Sequence, residues 1–257
     1  ASYFSGFDLV VSYLYDPDRI FEENVVRVSS ARFVAGPHRP DPSGDRHAAD
    51  VLLEPLAQIG IVAADPIPRL RLRLEDVPLT QARTAAIAAG GSEARCLAVH
   101  PGSGGERKNW PESRWAELLS RLGAQTGCHL LLVGGEAEGD RLERLAACWP
   151  ADRIAVARSL PLVELAHRLV ASHFFLGHDS GIMHLAAALG LPGLVLWGES
   201  PLRVWRPRQG GMQCLPAGTH LSRLEVEEVW AALVSCRCAH DALASFPFAP
   251  CQASKRE

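Results

Sequence analysis

Residues 96–122 read CLAVHPGSGGERKNWPESRWAELLSRL, which is an apolar run, a glycine-rich loop and an amphipathic segment in direct succession. The run from Cys96 to His100 has the length and composition of a buried β-strand. Beyond the loop, apolar side chains recur at the spacing of one helix face, at Trp115, Leu118, Leu119 and Leu122. Pro111 suits the first turn of that helix, where its missing N–H costs nothing. The stretch therefore predicts a strand, a loop and a helix.

The same alternation continues to about residue 197. Strands are predicted at 129–133, 154–157, 173–176 and 193–197, and helices at 140–148, 161–171 and 180–189. Short apolar runs separated by amphipathic segments are typical of βαβ units, which build a parallel sheet. The predicted fold class is therefore α/β.

The first 62 residues predict part of a second α/β unit, with strands at 7–13 and 32–35 and a helix at 47–58. Residues 65–95 are rich in Pro and Arg, which is typical of a connection. Within them Arg69, Arg71 and Arg73 alternate with leucines, a pattern that fits an edge strand or a weak contact with a membrane surface. We predict a partial N-terminal domain over 1–78, a linker over 79–94 and a C-terminal domain over 95–257.

Composition excludes several classes of protein. The 257 residues carry 26 basic and 29 acidic side chains, and the net charge of −3 provides no general attraction to nucleic acid. No apolar run approaches the roughly 18 residues that a membrane-spanning helix needs. The seven cysteines are scattered through predicted core elements, which indicates reduced thiols and a cytoplasmic protein.

The densest functional signal is FFLGHDSGIMHLAAALG, residues 174–190, where a strand enters a polar turn that opens a helix. A helix N-terminus binds anions, and Gly181 lets a phosphate approach the backbone closely. Asp179 and Ser180 lie in the turn, and His184 follows about one turn into the helix, facing the same site. The structural alternative is that Asp179 or Ser180 only caps the helix and that His184 is a surface residue.

A second signal is the loop HPGSGGERKNWP, residues 100–111. Backbone N–H groups near Gly104, the Ser103 hydroxyl and the Lys108 ammonium group could surround phosphate oxygens, although a solvated surface loop is the alternative. It is not a Walker A motif, because no G-K-[ST] follows at the required spacing. Both loops, and a third at 134–138 whose carboxylates suit a ribose or base, lie at the carboxyl ends of strands, where open α/β folds bind ligands.

Two other interpretations are weaker. Asp-Ser-Gly at 179–181 also surrounds a serine-protease nucleophile, but those enzymes are antiparallel β-barrels, and the G-x-S-x-G spacing of α/β-hydrolases is absent. Cys236, Cys238 and His240, with Cys251 beyond, fit no common zinc spacing. We therefore predict neither serine hydrolysis nor a metal site.

Together the two loops resemble glycosyltransferase family 9, the bacterial heptosyltransferases. The matching stretches are residues 100–115, 131–138 and 175–207, and the most specific features are the Asp-Ser-Gly-x-x-His helix and the Lys-x-Trp-Pro loop. The resemblance implies an α/β fold of GT-B type, with two Rossmann-like domains across a cleft, of which the N-terminal one is incomplete in this sequence. It also implies an ADP-sugar donor, bound mainly by the C-terminal domain.

The resemblance further implies a role for individual residues. The diphosphate would be bound by the first loop, at Ser103, Gly104 and Lys108. Glu138 would contact the nucleoside, and the phosphate and sugar would meet Asp179, Ser180, Gly181 and His184. Lys108 and His184 would also act in catalysis. No metal or further cofactor would be needed, because helix N–H groups and a lysine stabilise the charge on the departing ADP.

The family inverts at the anomeric carbon and uses a carboxylate base from a loop that would precede this sequence. Asp16 and Asp18, after the first strand, are the local substitutes, and an Asp-Pro-Asp turn is the structural alternative. We expect a transferase that moves a heptose or related sugar to a lipopolysaccharide core or similar saccharide, with at most peripheral contact with the inner membrane. The alternatives are a catalytically silent nucleotide-sugar-binding module and a nucleotide-sugar epimerase or hydrolase of the same fold.

Overall fold

The computed structural model describes residues 3–62, 64–72 and 95–242, without the side chains of 240–242. The predicted linker at 79–94 lies outside these residues, so the domain boundaries placed there stay a prediction. Two compact units are present. One holds the residues up to Pro68 together with Pro201–Arg206, and the other holds Arg69–Ser200 and the residues from Pro207 onward.

The first unit is a small βαβ unit followed by helical segments. Its elements are β1 Leu9–Ser12, α1 Ile20–Val28, β2 Arg32–Ala35, α2 Ala48–Leu53, a 3₁₀ helix Glu54–Ile59 and the short helix Leu202–Trp205. The two strands are parallel, with Leu9 opposite Arg32. The helix predicted at 47–58 is α-helical only to Leu53, because Pro55 has no N–H to continue the hydrogen-bond pattern. The chain then continues as the 3₁₀ helix.

The second unit is a parallel sheet with helices between its strands. Its elements are β3 Cys96–His100, α3 Glu112–Gln125, β4 His129–Gly134, α4 Arg141–Ala146, β5 Ile154–Arg158, α5 Leu162–Val170, β6 Phe174–His178, α6 Gly181–Ala188, β7 Gly193–Trp197, β8 Met212–Pro216, α7 Val226–Ser235 and α8 Arg237–Ala242. The six strands lie in the order β5-β4-β3-β6-β7-β8, and all neighbours are parallel. The α/β prediction is therefore confirmed.

The helix predicted from residues 96–122 packs as its spacing requires. Trp115, Leu118, Leu119 and Leu122 of α3 are all buried in the core between helix and sheet. Full burial of such side chains is worth about 1.5–3 kcal/mol each. Pro111 lies one position before the helix, as its N-cap. The apolar face of α3 therefore fixes the helix against the sheet and sets where the preceding loop ends.

Five elements escape the sequence prediction, namely α1, the short helix Leu202–Trp205, β8, α7 and α8. In α1 only Val25 is buried, so the helix has almost no apolar stripe to detect. β8 is an edge strand in which only Met212 is buried. Periodicity reports burial, and these two elements bury little. Among the described residues, no helix has both the length and the apolar character needed to cross a membrane.

The order of the strands reverses between β3 and β6. β4 and β5 extend outward from β3, whereas β7 and β8 extend outward from β6 on the other side. In open α/β sheets, ligands bind beyond the carboxyl ends of the strands at such a switch point. The two loops singled out in the sequence follow β3 and β6, so the topology places both at this position.

Candidate functional site

Lys108 connects three loops at the switch point. It ends a 3₁₀ turn, Glu106–Lys108, in the loop after β3. Its Nζ donates to Oδ2 of Asp179, at 3.3 Å, and to Oγ of Ser200, at 2.9 Å. Asp179 follows β6, and Ser200 lies beyond β7. The structure thus brings together two residues predicted from the sequence and adds Ser200, which lies in the matching stretch 175–207 but was not among the predicted site residues.

Lysine is rare in this chain, which makes Lys108 distinctive. The sequence contains only Lys108 and Lys255, and every other basic side chain apart from histidine is an arginine. The Lys108 side chain is 37% exposed and that of Asp179 is 13% exposed. A partly exposed ammonium group at the switch point can bind an anion that arrives from solvent. In this structure its ionic partner is Asp179, at 3.3 Å.

The structure of the turn after β6 shows which residue caps α6. Ser180 has an extended backbone, and its Oγ accepts the N–H of Met183 at 3.2 Å. The cap predicted for Asp179 or Ser180 is therefore Ser180. The first N–H groups of a helix have no carbonyl partner within the helix, so they face the loop side of α6. Gly181 is exposed, and no atom lies within 4 Å of where a Cβ would stand, so the backbone is accessible there.

His184 is an exposed residue of α6, and its backbone N–H donates to the Ser180 carbonyl at 3.2 Å. Its position in the first turns of the helix matches the expectation from the sequence. The contact with donor phosphate or sugar, and the catalytic role, stay predictions. The same holds for Ser103, whose hydroxyl donates to the Gly105 carbonyl at 3.0 Å, and for exposed Gly104.

Glu138 is buried beneath the glycine-rich loop. Its Oε2 accepts the N–H of Gly135 at 2.5 Å. A Cβ on Gly102 would stand 1.9 Å from Glu138 Oε1, so any side chain at 102 would have to displace this carboxylate. Glycine lets the loop lie against the carboxylate where it stands. The contact of Glu138 with a nucleoside stays a prediction, and the structure shows Glu138 supporting the loop.

The sequence prediction missed a buried histidine at the end of β6. His178 is completely buried, and its Nε2 lies 3.0 Å from the backbone nitrogen of Trp110. Because that nitrogen is a donor, Nε2 accepts, and Nδ1 carries the proton and donates to the Gly102 carbonyl at 3.3 Å. Burial lowers the pKa of His178 to about 3, which keeps the ring neutral. A polar residue closing an apolar strand was the available signal.

Asp16, the substitute for the general base, lies in the first unit and caps α1. Its two carboxylate oxygens accept the N–H groups of Phe21 and Glu22, each at 3.0 Å. These hydrogen bonds lower the pKa of Asp16 below its usual value, which makes its carboxylate a weaker base. Asp18 is exposed in the same turn. The geometry favours the structural role of Asp16, and its catalytic role stays a prediction.

The cysteine cluster near the C-terminus forms no centre in the described part of the chain. Cys236 and Cys238 are free thiols, and Cys251 lies outside the described residues. Within residues 3–62, 64–72 and 95–242, no group of three or more His, Cys, Asp or Glu side chains is arranged to hold a metal ion.

Comparison with protein families gives a match that covers most of the chain. The family model for glycosyltransferase family 9 (heptosyltransferase) matches residues 52–223. The match includes Lys108, Asp179 and Ser200, and therefore the whole cluster at the switch point.

Two curated relatives are also heptosyltransferases. Lipopolysaccharide heptosyltransferase 1 of Salmonella typhimurium is 31% identical over 128 residues, which is 49% of this chain and 39% of the relative. Lipopolysaccharide heptosyltransferase 1 of Pseudomonas aeruginosa is 38% identical over 93 residues, 36% of this chain and 26% of the relative. The chain thus matches well under half the length of these relatives.

Solved structures show the fold. The glycosyltransferase family 9 structure from Veillonella parvula superimposes with a TM-score of 0.67 at 21% identity, over 82% of this chain and 64% of that one. Heptosyltransferase WaaC of E. coli with ADP-2-deoxy-2-fluoro heptose gives a TM-score of 0.59 at 20% identity, over 88% and 71%. The predicted fold class, α/β of GT-B type, is confirmed by these neighbours.

Proposed function

Because the chain belongs to glycosyltransferase family 9, the heptosyltransferases, we propose that its second unit binds the diphosphate of an ADP-sugar at the carboxyl ends of β3 and β6. We further propose that the protein transfers a heptose or related sugar from this donor to a saccharide acceptor. The observation that carries the proposal is the position of Lys108, which lies at the switch point in contact with Asp179 and Ser200.

The charges at this position suit a diphosphate. Lys108 supplies a full positive charge, and the N-terminus of α6 adds the partial charge of its exposed N–H groups. A bound phosphate would compete with Asp179 for the Lys108 ammonium group, because both are anions within reach of the same donor. Asp179 is then available to accept hydrogen bonds from sugar hydroxyls.

The same groups suit the chemistry of transfer. When the bond between the anomeric carbon and the phosphate breaks, negative charge develops on the departing ADP. Lys108 and α6 are placed to stabilise that charge, which is the contribution of preorganised donors to a transition state. We propose an inverting reaction in which these groups act without a metal ion, and in which a carboxylate takes the proton of the acceptor hydroxyl.

The acceptor proposal follows the relatives from Salmonella typhimurium and Pseudomonas aeruginosa, both lipopolysaccharide heptosyltransferases. We propose a lipopolysaccharide core or a similar saccharide as the acceptor. A cytoplasmic protein that contacts the inner membrane peripherally would meet such an acceptor, since its lipid lies in that membrane.

A second candidate function is binding of a nucleotide sugar without transfer. It is favoured by Asp16, whose carboxylate is occupied by the N–H groups of α1 and has a lowered pKa. A protein with the donor site and without a competent base would bind ADP and leave an acceptor unmodified. Release of free sugar and nucleotide without an acceptor would instead indicate the epimerase or hydrolase alternative.

Calorimetric titration with ADP, UDP, GDP and CMP tests the donor site. We expect micromolar binding of ADP and at least tenfold weaker binding in Lys108→Ala, a loss of about 1.4 kcal/mol. Lys255→Ala, which removes the other lysine, is the matched control and should bind as the unaltered protein does. Equal affinity of Lys108→Ala for ADP, or no binding of any nucleotide, would contradict the proposal.

Incubation with an ADP-heptose donor and a lipopolysaccharide core acceptor separates the candidates. Mass spectrometry should show one added heptose on the acceptor and stoichiometric ADP. Donor binding with an unmodified acceptor and intact donor would support the silent module. ADP production that is independent of the acceptor would support the hydrolase or epimerase.

A further inference from the structure

We infer that His178 is a positioning residue that sets the place of Lys108 in the donor site by joining the two ends of the glycine-rich loop. This inference rests on the proposed function, because the consequence of positioning Lys108 is the affinity for a diphosphate. His178 itself is completely buried, so a ligand arriving from solvent does not reach its ring. It acts through the backbone of Gly102 and Trp110.

The two hydrogen bonds of the imidazole lie on opposite sides of the loop. Gly102 is near the start of the loop, and Trp110 follows Lys108 by two residues. Nδ1–H donates to the Gly102 carbonyl, and Nε2 accepts the Trp110 N–H. One ring therefore holds together two backbone positions that are eight residues apart, and the intervening segment carries Ser103 and Lys108.

The Trp110 end of the loop is held from a second direction. The Trp110 indole N–H donates to the Leu224 carbonyl at 2.8 Å, and the side chain is buried. The His178 bond then holds the backbone N–H of Trp110, two residues after Lys108. His178 also directly precedes Asp179. The end of β6 therefore carries Asp179 and, through His178, also positions Lys108, the ionic partner of Asp179.

Neutral histidine is the side chain suited to this task. It offers a donor and an acceptor on opposite edges of one rigid ring. Asparagine places an amide donor near the Nδ1 position, which faces the Gly102 carbonyl. Glutamine, with its longer side chain, places an amide acceptor only near the Nε2 position, which faces the Trp110 N–H. Each amide therefore keeps one of the two contacts. Because burial keeps the imidazole neutral, we assign it no proton transfer.

The test is a double-mutant cycle between His178 and Lys108, read by calorimetric titration with ADP. We expect His178→Asn and His178→Gln each to weaken ADP binding about five- to tenfold in the otherwise unaltered protein. In the Lys108→Ala background the same substitutions should change the affinity less than twofold, since the positioned group is gone. His167→Asn removes another buried histidine, from α5, and serves as the control for general destabilisation.

A merely structural role would not give this coupling. A loss of affinity that is equally large with and without Lys108 would overturn the inference, and so would unchanged ADP binding in both His178 variants. If the unaltered protein binds no nucleotide, the proposed function fails separately. Hydrogen exchange of the Trp110 amide then tests the link between His178 and the loop alone: faster exchange in His178→Asn, which loses the acceptor for the Trp110 N–H, supports it, and unchanged exchange overturns it.

The tautomer provides a readout that needs no variant to fold. In ¹⁵N NMR spectra of the unaltered protein, His178 should show a protonated Nδ1 and an unprotonated Nε2 at pH 7. The opposite tautomer would remove the acceptor for Trp110 and would overturn the inference.

Discussion

Asp16 and Asp179 occupy comparable places in the two units, and their carboxylates do different things. Each aspartate follows a parallel strand and precedes a helix. Both oxygens of Asp16 accept N–H groups of α1. Ser180 takes over the capping of α6, and Asp179 instead faces Lys108. A neighbouring serine thus leaves one aspartate available for the Lys108 cation, whereas the other is used to stabilise a helix.

The largest expected difference is between the turn at Asp16, before α1, and the turn at His178 and Asp179, before α6. It lies in how the stability that each contributes changes with acid pH. The pKa of His178 in the folded protein is about 3, against 6.5 when unperturbed, because burial, with His100 and Arg141 nearby, opposes the charged ring. The stability that the neutral His178 ring contributes to the folded protein is complete above pH 6.5. As the pH falls from 6.5 toward 3, the free energy of unfolding decreases by about 1.4 kcal/mol per pH unit. The Asp16 pKa is lowered from 3.8, so that turn loses stability only at lower pH.

Urea denaturation at several pH values between 7.5 and 4.5 measures this difference. The free energy of unfolding should fall steeply below pH 6.5, and more steeply than in His178→Gln, which has no imidazole at this position. Equal slopes for the two proteins would show that His178 does not account for the acid sensitivity.

Removal of the Asp16 carboxylate should lower the stability of the first unit, whereas removal of the Asp179 carboxylate should hardly change that of the second. Asp16→Ala leaves two N–H groups at the start of α1 without their acceptors, and we expect the melting temperature to fall by roughly 2–4 °C. Asp16→Asn, which keeps one acceptor oxygen, should recover part of the loss. Asp179→Ala should change the melting temperature by less than about 1 °C, because Ser180 still caps α6. Differential scanning calorimetry measures all three, and a larger loss for Asp179→Ala would reverse the comparison.

The smallest expected effect is on nucleotide affinity. Asp179→Asn removes a negative charge beside the proposed phosphate site and frees Lys108 from its ion pair, so ADP should bind about threefold more tightly at low salt. Asp16→Asn should leave ADP affinity unchanged. Titration calorimetry at two salt concentrations checks both, and weaker ADP binding in Asp179→Asn would mean that the carboxylate mainly orients Lys108.

Much of the second unit is predictable from sequence because its elements are buried. β3 and the apolar face of α3 follow directly from the pattern of residues 96–122. The candidate residues Lys108 and Asp179 follow from motifs at the ends of predicted strands, and the structure brings them within 3.3 Å. Ser200 lies in the matching stretch 175–207, but its contact with Lys108 was not predicted, because that contact depends on the neighbouring strand and not on a local pattern.

The sequence by itself determined the α/β class, the loops that carry the candidate residues and the family resemblance, because apolar periodicity and short motifs are local properties of the chain. Only the tertiary structure decided that β3 and β6 are neighbours, that Ser180 and not Asp179 caps α6, and that His178 joins Gly102 to Trp110. The physical reason is that strand order and the partners of His178 join residues far apart in the chain, such as Gly102 and His178, which are 76 positions apart, so no local pattern encodes them. The cap of α6 is a local contact, but the sequence pattern fits Asp179 and Ser180 equally.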